Sequence, residues 1–105
     1  MRALAISECA EADLREIWRW TYEQFGENQA DHYLDQLEDG LQKCGAEPED
    51  GEQREVIRPE YWSRLVREHI AFYTFTDDEV LIQRVLHGSM DPPRHRLNER
   101  QRAAC

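Results

Sequence analysis

Lysine is almost absent: Lys43 is the single one in 105 residues. Thirteen Lys and Arg stand against twenty-two Asp and Glu, a net charge of −9. A body of that sign repels phosphate backbones, which disfavours direct nucleic-acid binding. Cysteine is scarce too. Cys9, Cys44 and Cys105 are widely spaced with no CxxC, so neither a disulfide framework nor a zinc-ligand pattern is present. No apolar run approaches the roughly 20 residues that cross a bilayer. The apolar part of MRALAISECAEAD is too short for a signal peptide and turns acidic at once. GxSxG, the P-loop, GxGxxG and HExxH are all missing, which removes the commonest marks of nucleophilic, nucleotide-dependent and zinc-dependent chemistry. The expectations are no cofactor, no metal, no membrane, no catalytic residue and a cytoplasmic location.

What is present describes a folded chain. A hydrophobic fraction of 40% with 10% aromatics belongs to a globular protein rather than a disordered one. The length supports one core, read as a single domain over residues 1–97 with a basic tail over residues 98–105. The charge is unevenly placed. Residues 8–60 hold sixteen acids against five bases, whereas residues 92–105 hold Arg94, Arg96, Arg100 and Arg102 against Glu99 alone. Acidic helices of this kind suit a basic protein partner.

The order of elements follows from periodicity. Arg2 to Ser7 (RALAIS) alternates as a short strand, and Ser7 can cap a helix. Ala10, Leu14, Ile17, Trp18, Thr21 and Phe25 then form one helical stripe, ended by Gly26. A second helix is expected from a cap at Asn28, with Ala30, Tyr33, Leu34, Leu37, Leu41 and Cys44 as its stripe up to Gly45. Gly40 interrupts it, at about 1 kcal/mol relative to alanine. The short join makes the two helices an antiparallel hairpin. After the acidic loop AEPEDGEQ come β-like runs at Arg54–Arg58, Arg64–Glu68, His69–Phe75 and Val80–His87, with a turn at Thr76–Asp78. The last run is apolar on both faces, so it should be a central strand. On strict alternation its Arg84 and His87 leave opposite faces. The fold class is α+β: an N-terminal strand, then an antiparallel helical hairpin packed on a small antiparallel sheet. Two helices cannot cover both sheet faces, so one face is expected to stay partly open, with aromatics forming a groove there.

Two places suggest function. RVLHGSMD (Arg84–Asp91) ends the apolar last strand with polar groups. Their bland reading is an arginine paired to one of many acids and a strand-end imidazole; their functional reading is a recognition surface. Glu68 and His69 are adjacent, so as strand neighbours they point apart and make a poor acid–base pair. Trp20 falls about 120° from the centre of the apolar stripe at 100° per residue. A tryptophan so placed suits an interface.

The runs ADLREIWRWT (Ala12–Thr21), FGENQADHY (Phe25–Tyr33), IRPEYWSRLV (Ile57–Val66), HIAFY (His69–Tyr73) and RVLHGSMD, in that order and spacing, resemble the ParE toxins of the RelE/ParE superfamily. The resemblance runs from Arg2 to about Leu97. It implies the toxin of a bacterial type II toxin–antitoxin system, with a ParD-like antitoxin as partner and DNA gyrase as target. Trp20, Ile17 and Tyr73 are then the candidate antitoxin contacts, and Arg84, His87, Met90, Asp91, Arg94 and Arg96 the candidate target contacts. RelE relatives instead cleave mRNA on the ribosome, which would need cations to grip phosphate and a nearby acid or base. That activity is the alternative reading, and a non-toxic interaction module is a second.

Overall fold

The structure, a computed structural model, describes residues 2–55, 57 and 59–88. The first strand, β1 (Ala3–Ile6), passes into the first helix, α1 (Glu8–Phe25), through Ser7. Ser7 keeps an extended backbone; its Oγ accepts the Ala10 N–H at 3.0 Å and donates to the Gln83 carbonyl at 2.9 Å. One hydroxyl thus satisfies an orphan donor of the helix and ties its start to a distant strand. Glu8 and Glu11 lie in the first turn, where their charge complements the positive helix end.

Gly26, at φ 90°, ends α1 and is also the N-cap of α2 (Glu27–Ala46). The expected cap at Asn28 is not used. Only glycine adopts that backbone without strain, and the hairpin therefore closes through a single residue. At Gly40 an added Cβ would clash with the Val66 side chain. The missing side chain lets α2 lie directly on the sheet, which explains a glycine in mid-helix.

After a short turn at Pro48–Asp50 come β2 (Glu52–Gln53), β3 (Trp62–Val66), β4 (His69–Phe75) and β5 (Glu79–His87). The edge strand expected at Arg54–Arg58 is replaced by β2, just before it; the described residues that follow make turns. The sheet order is β1-β5-β4-β3-β2. All neighbours are antiparallel except β1, which runs parallel to β5. The expected α+β layout holds, with the sheet mixed because the chain crosses over through the hairpin before returning. β5 is central, as its two apolar faces required.

Both sheet faces are covered. Against the helices pack Ala10, Leu41, Cys44, Ala71, Tyr73, Val80, Ile82 and Val85. On the far side, Tyr61 stacks on Phe72 with ring centroids 5.6 Å apart, beside Ile70 and Leu86. The open aromatic groove expected on that face is filled by the segment preceding β3. Among the described residues no helix is long and apolar enough to cross a membrane.

One irregularity shapes everything that follows. Phe72 pairs with Arg84 but Tyr73 pairs with Ile82, so Gln83 is an extra residue in β5. This bulge moves Val85 to the helix side with Val80 and Ile82, and Leu86 to the far side. Strict alternation would have reversed both.

Candidate functional site

β1 stops opposite Ile82, so from Gln83 onward no strand among the described residues runs along that edge of β5. An edge left this way carries backbone donors that need partners. Asp13 on α1 supplies one. Its Oδ2 accepts the Val85 N–H at 2.9 Å and Arg84 Nε at 2.8 Å, and its Oδ1 accepts an Arg84 terminal N–H at 2.9 Å. The Asp13 and Arg84 side chains are only 15% and 17% exposed. The bidentate bond to Asp13 raises the Arg84 pKa against the opposing effect of burial. The bland reading of Arg84, an arginine paired to an acid, is thus realised. Its partner had a signal: Asp13 lies three residues after Ala10 and four before Ile17, a charge inside an apolar stripe.

Beyond this staple the hairpin overhangs the sheet and leaves a cleft of about 1100 Å³. α1 contributes Ile17, Trp20 and Phe25 to its wall; α2 contributes Gln29, His32, Tyr33 and Gln36. Trp20 is 59% exposed and Phe25 65%, with ring centroids 6.1 Å apart in an edge-to-face pair. Two large exposed aromatics side by side on a concave wall are unusual on a solvated surface. Trp18, in contrast, turns to α2, where its Nε1–H donates to Asp31 at 2.9 Å.

The opposite end of the cleft is ionisable. His69 and His87 face each other across β4 and β5, ring centroids 5.2 Å apart and nearly perpendicular. Tyr33 Oη lies 2.7 Å from His69 Nδ1, and the Glu68 N–H donates to the same oxygen at 3.3 Å. Burial raises the Tyr33 pKa, so the phenol stays protonated beside the imidazole. Burial first, and the neighbouring His87 second, lower the His69 pKa, so the ring stays neutral at neutral pH. Arg67, in the turn between β3 and β4, also lines this end.

The structure separates the candidates. Trp20, Ile17, Arg84 and His87 all line the one cleft; the bulge, which alternation could not foretell, turns His87 to the helix side with Val85, while Arg84 reaches the cleft through its bond to Asp13. Tyr73 does not belong with them. It is fully buried, its hydroxyl donates to the Pro48 carbonyl at 2.6 Å, and burial pushes its pKa up to about 12; a partner on the surface cannot reach it. Met90, Asp91, Arg94 and Arg96 lie outside the described residues. Asp13, Tyr33 and Arg67 were missed by the sequence reading. Tyr33 looked like one more apolar position, and nothing in the sequence marks Arg67. Among the described residues no group of three or more potential ligands could hold a metal ion.

The sequence matches a family described as "ParE toxin of type II toxin-antitoxin system, parDE" over residues 4–92. It is 36% identical over 91 residues to Toxin ParE1 of Mycobacterium tuberculosis (strain H37Rv), spanning 86% of this chain and 93% of that one. Against Toxin ParE1 of Caulobacter vibrioides it is 32% identical over 95 residues, spanning 90% and 98%. Among solved structures, a chain from the "Chromosomal ParDE TA system from P. aeruginosa" matches with a TM-score of 0.74 at 18% identity, covering 83% of this chain and 96% of that one. At that identity the likeness is one of fold.

Proposed function

The chain belongs to the ParE toxin family of type II toxin–antitoxin systems, and on that premise we propose that it acts by binding: it inhibits DNA gyrase and is neutralised by a ParD-like antitoxin seated in the cleft. The observation that carries this reading is the exposed Trp20–Phe25 pair along a groove between hairpin and sheet. A partner helix lays its apolar face into such a groove, and a tryptophan there supplies large dry area at small entropic cost. The likeness in fold to a chain of the P. aeruginosa ParDE system supports a ParD-like partner. Ile17 joins Trp20 in the proposed contact. His87, with Met90, Asp91, Arg94 and Arg96, is the proposed target surface, and Arg84 supports it by anchoring β5 to α1. Residues 1–97 are taken as the toxin domain and residues 98–105 as a basic appendage.

A ribosome-dependent nuclease is the second reading, favoured by the Tyr33–His69–His87 cluster, since paired imidazoles can move protons. Against it stands Arg84, the cation closest in sequence to His87, whose charge Asp13 already engages. Purified protein with gyrase and plasmid, beside purified protein with ribosomes and mRNA, separates the two. Lost supercoiling with intact mRNA is expected. Specific mRNA cleavage that disappears in His87→Ala would overturn the binding reading. Normal growth on induced expression, with neither effect, would leave a non-toxic interaction module.

A further inference from the structure

The connection between β3 and β4 consists of Arg67 and Glu68 alone, and Arg67 has φ 57°. A two-residue hairpin with a positive φ at its first central position ordinarily places glycine there, and a bulky side chain in that region is a steric outlier. Strain held in this way gathers at functional positions. Arg67 is exposed, lines the cleft and enters no ion pair among the described residues. Glycine would form the turn more easily; arginine adds a cation to the cleft.

Beside it stand the two imidazoles. Tyr33 engages Nδ1 of His69, so Nε2 is the ring nitrogen left for a further partner, and His87 meets the ring across the strands. We propose, resting on the reading that the antitoxin docks in this cleft, that Arg67, His69 and His87 form a subsite for a carboxylate side chain on the antitoxin's docking segment. The other ionisable groups sharing the cleft are Tyr33 and His32 from α2, Glu68 from the turn, Arg84 from β5, and Asp13 and Glu16 from α1. Asp13 and Arg84 neutralise each other, and Glu16 lies 3.8 Å from Arg19. The end of the cleft is therefore near balance when His69 is neutral and positive when it is protonated.

The sign of the pH dependence follows. A carboxylate brought against His69 stabilises its charged form, so binding takes up a proton and tightens as pH falls. Calorimetric titration of the purified toxin with its antitoxin, between about pH 8 and about pH 6, tests this. Wild-type affinity should rise several-fold toward the acid end, and His69→Gln should flatten that slope. Arg67→Gly should fold at least as well, because it relieves the turn, yet raise Kd about tenfold. Arg67→Lys should restore most of the affinity. Wild-type affinity in Arg67→Gly, or binding that weakens on acidification, overturns the subsite. Trp20→Ala distinguishes the two levels. If it weakens binding while Arg67→Gly does not, the subsite alone fails; if neither does, the antitoxin does not use the cleft.

Discussion

The two halves of the helical hairpin are built from similar apolar stripes and meet different fates. Where α1 begins and α2 ends, the stripe is sealed: Ala10, Leu37, Leu41 and Cys44 are at most 2% exposed, and the Cys44 thiol is pushed up to about 11 by burial. Toward Gly26 the helices overhang the sheet, and Trp20 and Phe25 stay in solvent. The same chemistry is buried as core in one half and left exposed in the other. What decides is whether a strand lies beneath. An apolar stripe therefore says which side of a helix seeks cover, while topology says whether this chain supplies it.

The largest expected effect lies in the sealed half. Leu37→Ala removes a side chain with no room to repack and should cost about 2–5 kcal/mol, read from denaturant unfolding. A loss below about 0.5 kcal/mol would erase the contrast between the halves. At the boundary between them, Asp13→Ala leaves Arg84 and the Val85 N–H without their acceptor. The cost should be about 1.5–3 kcal/mol, and amide exchange at Val85 should quicken. Unchanged exchange would mean that the staple does not hold the edge of β5. In the open half, Trp20→Ala should leave stability within about 0.5 kcal/mol while weakening antitoxin binding by roughly 1–4 kcal/mol. A large fall in the unfolding midpoint would move Trp20 into the core class.

The smallest effect concerns pH. The folded-state pKa of His69 is lowered by burial, so the unfolded chain binds the proton more readily. The stability tied to this residue is complete above the ordinary histidine pKa of about 6.5 and is lost as pH falls through that value toward the folded one. Melting temperature should drop on acidification in wild type, and the drop should shrink in His69→Gln. Equal drops would show that His69 is not the titrating group.

Much of the fold was legible because its signals are local. Ser7 was read as a cap from its position before an apolar stripe, and β5 as central from its two apolar faces. The site was legible only in part. The exposure of Trp20 could be read from its place off the stripe. The bulge at Gln83 left no trace, because an inserted residue changes which face is used without changing composition. Tyr73 misled for a related reason: a tyrosine reads as amphipathic until its hydroxyl finds a partner, here the Pro48 carbonyl twenty-five positions away. Asp13 and Val85, seventy-two apart, meet only once the sheet has formed.

Gly26 has a consequence for how the family can diversify. It ends one helix and starts the next at φ 90°, with nothing within 4 Å of where a Cβ would stand. Space would admit a side chain; the backbone would not. A join of one residue also has no slack, so an inserted residue would rotate one helix against the other by about 100° and carry Trp20 or Tyr33 away from the cleft. Change in length should therefore accumulate along residues 47–61, where turns connect α2 to the sheet, while the hairpin tip keeps its length across relatives that share the groove.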